Sequence, residues 1–502
     1  MTRPASFWLT RFFILRLLGL VYFVGFLSLA HQVVPLIGEA GLSPAESYLP
    51  RVVEHYGSPT EAFLQRPTLF WFGSSDGLLI GLAYFGAALS LAVLLGFANA
   101  ILLTLIWLLY LSFVHIGQIW YGYGWEIQLL ETGFLAIFLC PLLDGRPFPR
   151  RAPPTAVIWL FRWLAFRIMF GAGLIKIRGD ECWRDLTCLD YHYETQPIPN
   201  PLSRVLHFMP GWFQKTGVLF NHFAELVAPW FVFGPRLARH VAGAVLVAFQ
   251  VVLILSGNLS FLNWLTIIPA LACFDDSLLC RLVPRRVVRR AERAAVEAVP
   301  SRLQLATVIG LVAVVAVLSY YPVQNLFSDR QIMNTSFDRL HLVNTYGAFG
   351  SVGQRRPEII FEGTDEEFVT VGTQWRAYEF KCKPGDPYRR PCIISPYHYR
   401  LDWQIWFAAM SDPNRHGWTL HLVWKLLHND PGALSLLAND PFPARPPRYI
   451  RAVLYEYEFA PLDDPEGRWW KRTRLGPWLP PLATDDENLR SFLAARGWLE
   501  DP

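Results

Sequence analysis

The 502-residue chain is 53% hydrophobic and only 17% charged, a balance that excludes a string of ordinary soluble domains and points to an integral membrane protein. Its formal charge of +4 is small for this length, and its arginines sit beside apolar runs instead of forming one basic face, which argues against a nucleic-acid partner. Apolar runs fill the chain to about Tyr321 and the rest is mixed, Pro-rich and charged, so the sequence divides into a multispanning membrane domain, 1–325, and a soluble domain, 326–502.

A membrane helix needs roughly 20 mostly apolar residues to cross a hydrocarbon core of about 30 Å. The pattern predicts a polytopic α-helical bundle of about nine spans, at 12–29, 78–97, 101–116, 127–143, 157–175, 223–233, 241–255, 259–274 and 305–321. The sixth is short and interrupted by Pro229. No small-residue cleavage site follows the first, which therefore reads as a retained helix and not a secretory signal.

Lys and Arg in short loops mark the cytoplasmic side. Arg3, Arg11 and Arg16 place the N-terminus inside; with nine crossings, Arg146, Arg150 and Arg151, then Arg236 and Arg239, then the Arg-rich run 281–293 fall inside too. The loops 35–76 and 178–220, and everything after Tyr321, then lie on the non-cytoplasmic side. Disulfides persist in oxidising compartments, and Cys182 with Cys188, and Cys382 with Cys392, lie in segments assigned to that side. Each pair is a candidate disulfide or a pair of free thiols; sequence does not fix connectivity.

Ionisable groups inside apolar spans are costly and default to a functional reading. His115, Glu126 and Glu131 fall around the third and fourth spans, Arg162, Arg167 and Lys176 in the fifth, and Glu225 in the sixth. Arg162, Arg167 and Glu131 can equally neutralise one another as buried structural pairs. Lys176 follows Gly171 and Gly173, small residues that permit close helix approach, and precedes Arg178, Asp180, Trp183 and Arg184 in a polar cluster. His192 and Glu194 follow, as a pH-sensitive pair, a catalytic base with its support, or ordinary loop contacts.

Past Tyr321, period-2 stretches at 358–362 and 451–459 and helical segments at 403–410 and 418–428 predict a mixed, largely β domain. Trp403, Trp406 and Phe407 lie at helical spacing and read as core or as a client-facing patch. The chain has no Gly-rich phosphate loop, nucleophile elbow or metal-ligand spacing, so ATP-driven, hydrolytic and metal chemistry find no footing.

The run FRWLAFRIMFGAGLIKIRGD at 161–180, continuing through CWRDLTC at 182–188 to QPIPNP at 196–201, closely resembles the lipase maturation factors. So do SGNLSFLNWLT at 256–266, VNTYGAFG at 343–350, YEFKCKPGD at 378–386 and SPYHYRLD at 395–402. The resemblance implies a membrane-embedded folding factor for exported proteins, with no cofactor, whose partners are an exported client, a lipase in the family's pattern, and membrane lipids. It implies the endoplasmic reticulum membrane in a eukaryote or the inner membrane in a bacterium, with a C-terminal domain, Cys382 and Cys392 included, that meets the client. A remoter resemblance, of the fifth span with Lys176 and Trp183 to the vitamin-K-dependent γ-carboxylases, implies a different class: a quinone-linked or lipid-linked enzyme using Lys176 as base, supported by His192 and Glu194.

Overall fold

The computed structural model describes residues 5–499; Arg3 lies outside the described residues. The N-terminal half is helical: α1 (Trp8–Ile37), α2 (Asp76–Leu95), α3 (Ala100–Ile116), α4 (Gly124–Ile137), α5 (Thr155–Arg178), α6 (Gly211–His222), α7 (Arg236–Ser256), α8 (Leu262–Ala270), α9 (Arg285–Val296), α10 (Arg302–Leu318) and α11 (Tyr320–Leu326). Of these, α1, α2, α5 and α7 are long and apolar enough to cross a bilayer, and the pair α10 and α11, bent by 41°, makes a fifth if taken as one span.

The other expected spans fold as shorter helices. At 1.5 Å per residue, the 17 residues of α3, 14 of α4 and 9 of α8 reach roughly 25, 21 and 14 Å, less than a full hydrocarbon thickness. The sixth expected span is the most altered: α6 continues as a π-helical turn, Phe223–Val227, and a 3-10 turn, Ala228–Phe233. Pro229 has no N–H to return to the carbonyl of Glu225, and the regular ladder gives way around it.

Burial orders the bundle. The most apolar windows of α1 and α5 are 61% and 67% buried, against 33% for both α2 and α7, so the first two form the centre and the others the rim. The buried cluster around Tyr22, Phe26, Trp120 and Trp125 does not stop at the end of the helices; it runs on through Val343, Ile359 and Trp403.

The C-terminal part is built on β1 (Arg356–Thr364), β2 (Arg376–Tyr378), β3 (Tyr449–Phe459) and β4 (Trp470–Leu482), an antiparallel sheet of order β2-β1-β3-β4 with Ile359 opposite Leu454 and Phe361 opposite Tyr378. Helices α12 (Arg400–Ala409) and α13 (Trp418–Leu427) bury Trp403, Ile405, Leu422 and Leu426 beside it. β4 escapes period-2 reading because it is an edge strand carrying Gly476, Pro477, Pro480 and Pro481, with register shifts in its pairing to β3.

Candidate functional site

Lys176 occupies the last turn of α5, where its side chain is buried. Its Nζ donates to Asn221 Oδ1 at 2.9 Å and to Glu225 Oε1 and Oε2 at 2.6 and 2.8 Å, and it stands 4.9 Å from the centre of the Trp183 ring. Asn221 Nδ2 donates to the same carboxylate at 3.0 Å. An ammonium has three donors, and three acceptor oxygens surround this side chain's nitrogen. Gly173 makes the approach possible: a Cβ there would stand 2.6 Å from Leu226 Cδ2 and 3.0 Å from Glu225 Cβ. Glu225 itself lies in the π-helical turn, which turns its carboxylate toward α5.

The polar run after Lys176 is a bracing loop. Asp180 Oδ1 accepts from the Cys182 amide at 3.1 Å and Oδ2 from the Val352 amide at 3.2 Å, while Trp183 Nε1 donates to the Phe349 carbonyl at 2.8 Å. Arg178 donates to Gln331 Oε1 and to the Leu326 carbonyl, both at 2.9 Å, and Arg184 to the Ile177 carbonyl at 2.8 Å. Cys182 and Cys188 form a disulfide with Cα atoms 4.7 Å apart.

His192 and Glu194, adjacent in sequence reasoning, part company on the short helix Leu189–Thr195. The His192 ring packs edge-on against Phe349, with centroids 4.8 Å apart; burial first, then the charge of Lys176, pulls its pKa down to about 4. Glu194 Oε2 accepts from the Phe459 amide at 2.5 Å and lies 3.7 Å from His207 Nε2. Burial pushes its carboxyl up to about 7, against the lowering pull of the Phe459 bond.

Several of the remaining buried charges join the helices to the C-terminal segments. Arg167 pairs with Glu131, whose Oε2 also accepts from the Asn344 amide at 3.0 Å, Asn344 Nδ2 at 3.0 Å and Tyr346 Oη at 2.7 Å. Arg162 does not join that pair; its Nε donates to the Ala272 carbonyl at 2.9 Å and its guanidinium lies 4.9 Å from the Trp159 ring. Arg162 lies five positions before Arg167 on α5, and its side chain meets Ala272 instead of Glu131. Arg400 reaches from α12 to Glu126 at 2.8 Å and packs 3.6 Å over Tyr121. Arg356 and Lys383 flank Glu358 at 2.7 and 2.8 Å, with Arg356 also donating to the Glu194 and Pro197 carbonyls. Cys382 and Cys392 form the second disulfide, Cα atoms 5.6 Å apart, and the Cys382 and Lys383 amides donate to Asp402 Oδ1 at 2.6 and 2.9 Å.

Between these pairs lies a cavity of about 340 Å³, walled by α4, α5, α7 and α8 on the bundle side and by 346–351 and α12 on the other. Glu225 forms part of its wall, as do Tyr123, Trp125, Gln250, Asn263 and Trp403.

Residues 9–281 match the family model described as the lipase maturation factor transmembrane domain, and residues 342–480 the lipase maturation factor C-terminal domain. The chain is 50% identical over 520 residues to lipase maturation factor 1 of Bos taurus, covering 99% of this chain and 92% of the relative. Against lipase maturation factor 1 of Homo sapiens it is 48% identical, covering 98% and 91%, and against lipase maturation factor 2 of Xenopus laevis 29%, covering 96% and 83%. The chain belongs to the lipase maturation factor family. No solved structure matches it significantly.

The matched blocks of this lipase maturation factor family member contain the ion pairs described above. Arg167, Lys176, Cys182 and Cys188 lie in the first matched region, with their partners Glu131 and Glu225; Asn344, Tyr346, Cys382, Cys392 and Arg400 lie in the second. Sequence reasoning placed Glu126 and Glu225 among the intramembrane charges without finding their partners. The pairings of Asn221, Lys383 and Arg400 are not legible locally, because their partners lie on other elements, while Arg356 meets Glu358 two residues on along β1.

Proposed function

We propose that this protein is a membrane-embedded maturation factor for an exported lipase, assisting its folding and assembly. The observation that carries the reading is identity of about one half, across nearly the full length, to relatives named lipase maturation factor 1. On this reading the client is met on the non-cytoplasmic side, in the endoplasmic reticulum of a eukaryote or outside the inner membrane of a bacterium, by a domain, 326–502, that includes Cys382 and Cys392.

Nine crossings, with the shorter helices α3, α4 and α8 and the broken segment 223–233 completing the count, give the orientation this function needs. Support comes from which ends meet. Arg11 donates to the Arg151 carbonyl, Arg151 to the Val299 and Pro300 carbonyls, and Asp276 accepts from the Trp8 and Leu9 amides, so the basic loops assigned to the cytoplasm gather at one end. At the other end Gln32 bonds the His398 carbonyl and the Arg400 amide, and both disulfides lie on segments assigned to that side.

The test is co-expression with a secreted lipase in cells lacking their own maturation factor. Restored secretion of active lipase, lost on truncation after residue 341, supports the reading; lipase secreted inactive with and without the full chain refutes it. A quinone-linked enzyme using Lys176 as base draws on the cavity beside Glu225, but the ion pair described above occupies the amine. No turnover of a quinone by the purified protein, with maturation intact, removes that second reading.

A further inference from the structure

The cavity described above has a wall of unusual composition. Tyr123 stacks on Trp125 with centroids 4.3 Å apart, and Trp403 meets Trp125 edge-on at 4.8 Å, giving an aromatic end at the level of α12. Met169, Phe249 and Leu262 continue an apolar surface down into the bundle. Glu225 is the one charged residue among the described lining residues, and Lys176 already neutralises it. A charged ligand would therefore be desolvated without a partner, and an uncharged apolar body would not.

Three polar atoms of the lining residues, Tyr123 Oη, Asn263 Oδ1 and Trp403 Nε1, are buried without a partner. Asn263 is 3% exposed; its Nδ2 donates to Gln250 Oε1 at 2.9 Å, and its Oδ1 has no donor. The orientation of the amides follows from the network: Gln250 Nε2 donates to Met169 Sδ at 3.5 Å, and exchanging the amide ends would lose that bond and gain none. Trp403 is 4% exposed and its Nε1 donates to nothing. A neighbouring amide on the same wall is satisfied internally, Gln128 Nε2 donating to Thr266 Oγ1 at 3.0 Å, so unpartnered atoms are not the general condition of this surface. A buried carbonyl oxygen without a donor is costly, and a ligand that supplies an O–H recovers that cost.

We propose that this cavity binds an uncharged lipid bearing a free hydroxyl group, its O–H donated to Asn263 Oδ1 and its apolar body lying along Met169, Phe249 and Leu262. Partial glycerides and sterols share this chemistry; a quinone, which only accepts hydrogen bonds, does not supply the donor. The wall is drawn from both parts of the chain, so the bound lipid joins α8 to α12. This site is independent of the lipase reading.

The full chain is reconstituted in phosphatidylcholine nanodiscs and irradiated with a diazirine-bearing diacylglycerol or, in a second arm, a diazirine-bearing sterol. Labelling of peptides containing Asn263 and Trp403 is expected, with the more efficient probe identifying the source of the hydroxyl. Unlabelled dioleoylglycerol should compete about tenfold more strongly than its hydroxyl-methylated ether, the worth of one hydrogen bond to a buried acceptor. This comparison is made on the unmodified protein; Asn263→Leu should abolish the difference between the two competitors. Equal potency of alcohol and ether, or labelling confined to the lipid-facing surface of α2, would overturn the proposal.

Discussion

Removing the Lys176 amine while leaving Glu225 in place tests the central ion pair. Both side chains are nearly inaccessible, at 6% and 5% exposure, and the carboxylate keeps only Asn221 as a donor once the amine is gone. Breaking a buried pair from one side costs about 3–5 kcal/mol, because the remaining charge is stranded. Lys176→Met should therefore lower the folding equilibrium constant by about two to three and a half powers of ten. The second substitution reverses most of this: in Lys176→Met with Glu225→Gln no charge remains, and the amide keeps a hydrogen bond with Asn221. The double variant should return to within about 1.5 kcal/mol of the parent. The assay is unfolding of the detergent-solubilised protein by titration with sodium dodecyl sulfate, followed through tryptophan fluorescence, with lipase maturation measured in parallel. A single variant as stable as the parent, or a double variant no better than the single, would refute the ion-pair argument. A stable double variant devoid of maturation activity would instead assign Lys176 a chemical role.

Three further outcomes follow from other parts of the molecule. The Glu194 carboxyl, raised by burial to about 7, is held more readily protonated in the folded chain than in the unfolded one, so its contribution is fully present below about pH 4.5 and is lost as pH rises through 7. Unfolding titrations from pH 5 to 8 should show stability falling across that window, and Glu194→Gln should flatten the slope. Replacing Cys382 by Ser opens a short disulfide loop and should cost about 2–3 kcal/mol, while non-reducing alkylation on denaturation should count four reactive thiols, Cys392 among them, where the parent exposes three, namely Cys140, Cys273 and Cys280. Gly171→Ala places a methyl 2.7 Å from the Tyr346 carbonyl oxygen and should destabilise by about 1–3 kcal/mol, whereas Gly81→Ala on α2, with open space at that position, should not; equal effects at the two sites would remove the packing argument.

Local patterns were the legible part. The period-2 stretches at 358–362 and 451–459 lie inside β1 and β3, and the aromatic spacing around Trp403 lies on α12, with Trp403 in the core, Trp406 half-buried and Phe407 exposed. The paired cysteines were also visible, because each pair is close in sequence. Helix length was not, since hydropathy marks apolar stretches without marking where a backbone bends: Pro229 breaks the sixth segment into π and 3-10 turns, and α8 stops after nine residues. Partners of buried charges were invisible for another reason. Glu131 and Asn344 are separated by more than 200 residues, as are Glu126 and Arg400, and no local signal reports such distances. Of the three charges that can neutralise one another, Arg167 and Glu131 pair, and Arg162 turns instead to the Ala272 carbonyl.

These long-range pairs decide how the two parts of the chain relate. A soluble domain tethered to a membrane bundle would present its own closed core and a polar junction, as interfaces between independent domains do. Here Arg400, with no exposed side-chain surface, donates to Glu126 and the Trp120 carbonyl of the bundle, while Arg167 of the bundle donates to the Asn344 carbonyl from beyond α11. Arg400 finds its carboxylate across the junction, so pulling the parts apart would strand it at the cost set out above for Lys176, whereas Arg167 would keep Glu131 within the bundle and lose the Asn344 carbonyl. The sheet is thus mechanically continuous with the apolar helices, so whatever occupies the cavity between them bears on both.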